Sequence, residues 1–282
     1  MRKPALTLAC LMASMAQAAP VTELNPLVVT ASRSEHSLAD APASVSVITA
    51  EQIKARGAGN LLEALRGVPG LSLNGRQVGG RKTLSIRGAE DRHTLVLIDG
   101  RRISSTDDTI GHSDYQYGWV AMEQIERIEV VRGPMSALYG SEAVGGVINI
   151  ITRKGGQQWH GGASVRGELG EGPAGDGHQM SASASGPLGE WFDLALGVED
   201  RRRAPTPRPE NKATSDIEGQ DRQSGNLRLG FTPSEGQRLQ LDMLRSEETR
   251  RRHEQNTRLP ARPYYLDTYD LQRRQDALTW QA

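Results

Sequence analysis

The sequence predicts a small α+β domain followed by strands of an antiparallel membrane β-barrel, and three observations carry that prediction. The first is Ile125–Thr152, where two apolar, β-branched runs (Ile128–Val131 and Val147–Ile151) are separated by Gly133-Pro134, Tyr139-Gly140 and Gly145-Gly146. Such runs read as buried strands, and the glycines mark tight turns or close backbone approach. The second is Ala43–Ile103, a succession of short capped helices and short strands. The third is a change of texture after Gly155-Gly156 to Gly, Ser, Ala and Arg, with apolar and polar residues alternating at period two.

Bulk properties bound the function. The chain has 282 residues and a formal charge of zero, so one or two domains fit and nothing points to nucleic acid. No run of 18 apolar residues occurs, which excludes a spanning helix and leaves a soluble domain or a β-barrel. Arg2 and Lys3, the apolar Ala5–Ala13 and the small-residue Ala16-Gln17-Ala18 form the three parts of a signal peptide over residues 1–19. A lipid anchor at Cys10 is the weaker reading, because Leu8 stands one position out and the leader would be very short. Cys10 is the only cysteine, so a mature chain starting near Ala19 has no disulfide and no thiol chemistry.

Residues 20–42 read as a linker holding one strand. Leu27, Val28, Val29, Thr30 and Ala31 have strong β propensity between Pro26 and the polar Ser32–Ser37, like an unpaired strand awaiting an edge. The other reading makes it the first strand of the folded domain. Residues 43–156 read as that domain. Val45 and Val47 alternate in a strand, and Thr49-Ala50-Glu51-Gln52 is a capping box opening a helix that Gly57 and Gly59 end. Asn60–Arg66 is a second helix with Gly67 past its end. Leu71–Leu73, Thr83–Gly88 and Leu95–Ile98 are strands, and Asp99-Gly100 is a tight hairpin returning through Arg101-Arg102-Ile103. Two polar loops interrupt the domain: Asn74–Lys82, with Arg76, Arg81 and Lys82, and Ser104–Gly118, with Asp107, Asp108, His112, Asp114, Tyr115 and Tyr117. His112 and Asp114 are too few for a metal site. Arg87 and Arg132 each close a strand before a glycine.

Residues 157–282 hold about six amphipathic strands. Trp159, Gly161, Ala163 and Val165 alternate with polar or small residues, as do Leu227, Leu229 and Phe231, and then Leu239, Leu241 and Met243. Trp159, Trp191 and Trp280 sit near segment ends, where interface aromatics belong. Gly186–Glu190 and Thr232–Gly236 read as short turns, and Arg201–Gln223 and Glu247–Asp267 as long outer loops.

The string VVRGPMSALYGSEAVGGVINIITRK, together with VITAEQI, LLEALRGVPG, SIRG and LVLIDGRRI, resembles the plug of TonB-dependent outer-membrane receptors. Within that family it is most similar to the ferric catecholate and colicin I receptor branch. The resemblance covers about Asn25 to Lys154. It implies an α+β plug followed by the first strands of a 22-stranded barrel in the outer membrane, truncated about a quarter of the way round. It makes Leu27–Ala31 the TonB box, bound by strand addition to TonB and its inner-membrane ExbB-ExbD motor. Little room precedes that strand for a signalling domain.

By the same resemblance, Arg87 and Arg132 lock the plug to glutamates on the wall, which would belong to later strands. The loops form an apex in which Arg76, Arg81, Lys82, Arg101, Tyr115 and Tyr117 cradle a ferric siderophore of catecholate type, an anionic and aromatic ligand. Asp107, Asp108 and Asp114 partly cancel that positive field. Haem or cobalamin are the competing ligands. A truncated fragment without transport, or a periplasmic plug-like binding module, are the competing classes. The partners implied also include outer-membrane lipid, with colicins or phage as a further class. No nucleophile–base set or phosphate loop can be assembled, so no enzyme and no cofactor is expected; the 140–147 stretch lacks the Lys-Ser/Thr of a P-loop.

Overall fold

The computed structural model describes residues 27–28, 36–37, 43–75, 79–103, 114–170, 172–256 and 263–281. The predicted cleavage site, Val29–Ala31, Arg76, Asp107, Asp108 and His112 lie outside the described residues. β1 (Leu27–Val28) pairs antiparallel with β2 (His36–Ser37).

The plug is built on a five-stranded mixed sheet. Its strands are β3 (Ser44–Thr49), β6 (Thr94–Ile98), β7 (Arg101–Arg102), β8 (Ile125–Arg132) and β9 (Gly146–Thr152), in the order β3-β8-β9-β6-β7. β9 and β6 run parallel, and the other neighbours are antiparallel. β6 and β9 are buried along their whole lengths, which is why both read as near-continuous apolar runs. A separate hairpin, β4 (Leu71–Gly75) and β5 (Lys82–Ile86), packs Leu84 and Ile86 into the same core.

The helices follow their sequence signals. α1 (Ala50–Ala55) opens on Thr49, whose hydroxyl accepts from Gln52 N while the Gln52 side chain accepts from Thr49 N. α2 (Leu61–Ala64) is capped by Asn60 and buries Leu61, Leu62 and Ala64. α3 (Ser136–Tyr139) covers the other face of the sheet, where Met135 and Tyr139 meet Leu95, Leu97 and Val147. Gly146 enters β9 at φ +150, and a Cβ there would run into the Val131 carbonyl oxygen and the Ile86 side chain. Only glycine brings β9, β8 and β5 this close.

The second unit is one antiparallel sheet, here called the wall. It comprises β10 (His160–Gly170), β11 (Gly172–Pro187), β12 (Phe192–Arg203), β15 (Gly219–Ser234), β16 (Gln237–Gln255) and β17 (Tyr264–Gln281), in that order. A two-stranded ribbon, β13 (Thr206–Pro207) and β14 (Ser215–Ile217), lies in the long connection between β12 and β15. The wall sheet is open, with β10 and β17 at its edges. One face carries exposed apolar side chains such as Val165, Val198, Leu278 and Trp280, the last 70% exposed. Phe192 stacks on Phe231 at 4.7 Å, and the row continues through Leu239 to Trp280. An apolar outer face edged by aromatics is the surface a bilayer requires of a barrel. The opposite face carries Gln179, Glu199, Arg222, Arg228 and Arg250, buried against the plug.

The long loops expected at 201–223 and 247–267 are shorter, the first reduced to 204–218 and the second to 256–263. β12 continues to Arg203, β15 starts at Gly219, β16 reaches Gln255 and β17 starts at Tyr264. Strand pairing is a backbone property, and it persists where the outer face has turned polar. Glu248, Arg250 and Arg252 face inward while Glu247 and Arg251 face out. The short turns stand as expected, and Leu188 N donates to Phe192 O at 2.7 Å across the first.

Gly146→Ala should destabilise the plug by about 2–4 kcal/mol, the sum of backbone strain and a steric clash. Denaturant unfolding of the chain measures it, and an effect below about 0.5 kcal/mol contradicts the close packing described.

Candidate functional site: the interface between plug and wall

Three polar knots join the plug to the wall. The first forms at the short-turn end, around the β6–β7 hairpin. Asp99 sits at φ +49 followed by Gly100 at φ +75, the backbone of a type I′ turn. β9 fixes that turn: Gly100 N donates to the Asn149 side-chain oxygen at 3.0 Å, and Thr152 N and Oγ1 donate to the Asp99 carboxylate at 2.9 and 2.7 Å. Asp99 is thereby aimed at the wall, where it pairs with Arg228 of β15 at 2.6 Å. Arg228 also pairs with Asp242 of β16 at 2.6 Å, and Asp242 accepts from Arg101 of the plug at 2.6 Å. Arg101 reaches on to Thr279 of β17 at 2.7 Å. Four charges alternate in sign across two plug residues and two wall residues. The Arg228 side chain is only 5% exposed, so its charge depends on those two carboxylates.

The second knot lies midway. Arg222 of β15 pairs with Glu199 of β12 at 2.5 Å. Gln179 of β11 donates to Glu199 at 3.0 Å and to the Gly59 carbonyl of the plug at 2.9 Å. Arg201 pairs with Glu168 at 2.7 Å.

The third knot is at the long-loop end, where Glu218, fully buried, is the centre. Arg81 donates to it from Nε and Nη2 at 2.9 and 2.7 Å, the Tyr115 hydroxyl donates at 3.2 Å, and Glu218 N donates to the Gly79 carbonyl at 3.0 Å. A Cβ on Gly79, whose φ is +62, would collide with the Glu218 side chain. Arg81 also lies over the rings of Tyr115 and Tyr269 at 4.8 and 4.9 Å, and Arg250 over Tyr115 at 4.7 Å. Arg250 is itself held by Glu248 and by Asp114 at 3.5 Å. Burial, foremost, and the neighbouring Glu218 carboxylate push the Tyr115 phenol above its ordinary value. Burial works against the Arg81 charge, yet the Glu218 carboxylate holds its pKa above the usual arginine value.

The residues singled out from sequence are distributed unevenly. Arg81 and Tyr115 come together in the Glu218 knot. Lys82 and Tyr117 line a cavity beside it. Arg101 lies in the other knot, with Asp242 and Thr279, rather than beside the apical residues. Arg132 donates to Ser44 and Ser46 hydroxyls and to the Pro69 carbonyl at 3.0 Å, all within the plug. Arg87 is exposed next to it, near Gly70 and Gly133. Neither arginine touches the six wall strands among the described contacts. Sequence reasoning missed Glu218, Asp99, Arg228 and Asp242. The available signal was a charged residue at the inward position of an amphipathic strand, as Arg228 is between Leu227 and Leu229.

Replacing Arg228 by Met leaves Asp99 and Asp242 facing each other without their shared cation. The expected cost is about 3–5 kcal/mol of unfolding free energy. Asp99→Asn with Arg228→Met should cost less than the sum of the two single changes; additivity in denaturant melts would mean that the pair does not couple.

Alkaline titration tests the third knot. A phenol whose folded pKa is raised contributes stability below its ordinary value of about 10 and loses it as pH rises through the folded value. The difference in 295 nm absorbance between the parent and Tyr115→Phe should therefore show an ionisation lagging behind ordinary tyrosine. A difference spectrum centred near pH 10 would contradict the burial.

Comparison with known proteins places these features in a family. A family model described as the TonB-dependent receptor plug domain matches residues 37–147. An iron-regulated outer membrane virulence protein of Vibrio cholerae is 42% identical over 183 residues, which is 63% of this chain and 28% of that protein. A vitamin B12 transporter of Photobacterium profundum is 40% identical over 61% of this chain and 27% of its own length. A ferric enterobactin receptor of Pseudomonas aeruginosa is 39% identical over 64% of this chain and 26% of its own length. The crystal structure of the siderophore receptor PirA from Acinetobacter baumannii superposes with a TM-score of 0.63 at 30% identity, covering 73% of this chain and 32% of that one. The chain spans about a quarter of the length of these curated relatives. Residues 37–147 thus match the plug domain of TonB-dependent receptors, and the chain shares the fold of the siderophore receptor structure it superposes on.

Proposed function

We propose that this chain supplies the plug and the first wall strands of a receptor that imports ferric siderophores, of catecholate type, into the periplasm. The observation that carries this reading is the plug's position: a folded stopper held by ion pairs on the inner face of a sheet whose outer face is apolar. Such a stopper serves import only if something moves it. Leu27–Ala31 is suited to be the handle, and TonB, driven by ExbB-ExbD, would add a strand to it. The β1–β2 pairing seen at Leu27–Val28 involves two residues per strand, a small cost for an incoming strand to displace.

The ligand class draws on chemistry more than on sequence distance, since B12 and enterobactin relatives lie at nearly equal identity. Arginines stacked on tyrosines at the outer end of the plug, with Lys82 exposed beside them, suit an anionic aromatic ligand better than a neutral corrinoid. The lock between Arg87, Arg132 and wall glutamates remains part of this proposal, because both arginines face away from the six strands described here.

Val28→Pro removes one N–H from the handle and prevents strand addition. It should abolish uptake of ferric enterobactin in iron-limited cells while leaving its binding to the cell surface within about twofold, as main-chain pairing supplies the grip. Uptake at the parental rate would remove the TonB-box assignment.

A further inference from the structure

Beside the second knot a row of inward side chains crosses the wall. Ser224 of β15 stands opposite Ser246 of β16, and Ser246 stands opposite Arg273 of β17. Opposed residues on paired strands have their Cβ atoms about 4.5–5.5 Å apart. Arg222 lies two residues from Ser224 along β15 and so shares its face. Each of these four side chains holds a buried polar atom without a hydrogen-bond partner: Oγ of Ser224 and Ser246, and Nε of Arg222 and Arg273. Ser224, Ser246 and Arg222 are 7%, 3% and 6% exposed, so bulk solvent does not serve them.

The charges around this row leave one arginine over. Arg222 is neutralised by Glu199, and Arg250 by Glu248. Arg273 has no carboxylate within ion-pairing distance among the described residues, and its Nη2 donates to the neutral Gln275 side chain at 2.9 Å. Two acids face the row, and neither answers it. Glu199, opposite Ser224, is already engaged by Arg222 and Gln179. Glu248 lies two residues beyond Ser246, and its Oε2 is itself buried without a partner, so no donor of the row reaches it. A guanidinium held out of water without a counter-charge is costly, and a bound anion relieves that cost.

The plug closes the row from the other side. Gly118 packs so tightly that a Cβ there would run into the Arg222 guanidinium, and the Trp119 ring lies over the Arg273 guanidinium at 4.8 Å. The ring face offsets part of the charge, yet it leaves the edge of the guanidinium, where Nε–H lies, free to donate. The row therefore offers four donors and one surplus positive charge, and it lacks an acceptor. A water oxygen accepts about two hydrogen bonds and brings no charge. A small anion can accept from all four donors and neutralise Arg273.

We propose that this row binds a small monovalent anion of the chloride class, held by Arg273 Nε, Ser246 Oγ and Ser224 Oγ with Arg222 Nε beside it. The ion is a resident of the interface between plug and wall rather than cargo, so the site does not depend on what is imported. It ties β15, β16 and β17 to Gly118-Trp119 of the plug. It also makes the stability of that interface specific to the anion in solution, beyond any general effect of ionic strength.

The test uses the whole receptor purified in detergent, with bromide as the crystallographic probe and chloride as the probe in solution. Crystals grown in bromide should show an anomalous peak against Arg273 Nε and Ser246 Oγ. Urea midpoints at constant ionic strength, with gluconate replaced stepwise by chloride, should rise with chloride, because only the folded interface binds it. Ser246→Ala removes one hydrogen bond to the ion at little cost in packing, and should raise the chloride concentration needed for that rise about tenfold. Arg273→Gln should abolish both the peak and the response to chloride. A parent without the bromide peak overturns the site. A peak that persists in Arg273→Gln marks an adventitious ion only and overturns it too. If Arg273→Gln does not fold, Ser246→Ala decides: a chloride response equal to the parent's overturns the site.

Discussion

The structure depends on how charge is shared between plug and wall. Arg228 and Glu218 are wall residues with almost no exposure, and each is satisfied by plug groups: Arg228 by Asp99, Glu218 by Arg81 and Tyr115. Neither could be kept buried and ionised by the wall alone, since Arg228 would retain one carboxylate and Glu218 only the more distant arginines at 3.7 and 3.9 Å. The wall strands thus need the plug as much as the plug needs them. Glu218, the residue just before β15, lies ten positions from Arg228, roughly 33 Å at the usual rise of a strand. Pinned at both ends and tied midway by Gln179 and Gly59, the plug has a defined height and rotation.

The contrast between the plug's interior and its surface then becomes informative. Inside, Ile48, Leu61, Leu65, Ile86, Val130 and Ile148 form an apolar core. At the wall, apart from Leu244, which joins the plug core, contacts are mostly ion pairs, amide–carbonyl bonds and hydroxyls such as Ser183, which donates to the Glu123 carbonyl at 3.1 Å. Water can replace the neutral contacts of the second kind one at a time, at a net cost near ~1 kcal/mol for each hydrogen bond, while each buried ion pair costs several times more to break. It cannot replace the first kind, because exposing apolar surface is opposed throughout. On the proposed import reading, a pull on the N-terminal strand would therefore strain the interface before the core.

Much of this was legible in the sequence where the cause is local. The Thr49 capping box, the Asp99-Gly100 turn and the Gly145-Gly146 entry to β9 are each written within a few residues, and each is present in the fold. Period-two alternation gave the wall because one face meets lipid. The knots were illegible, since their partners are far apart: Arg81 and Glu218 by 137 residues, Asp99 and Arg228 by 129, Arg101 and Thr279 by 178. Nothing local distinguishes Arg101, which pairs across the interface, from Arg102, which pairs with Glu142 on the plug surface at 3.1 Å. The charged stretches 201–223 and 247–267 misled for a related reason. Polarity there marks strands that have risen past the apolar band, not the end of pairing.

The same distinction separates holding the plug from gating it. Of the ion pairs described, Arg228 with Asp99 and Arg81 with Glu218 are buried, the second through two hydrogen bonds, whereas Arg166 with Glu63 is half-exposed and longer. Exposed pairs contribute on the order of 0–1 kcal/mol and are screened by salt, while breaking a buried pair costs several times more. The plug is therefore least firmly attached along β10, the strand that carries Arg166. Separation of plug and wall along β10 would leave the two strong knots intact.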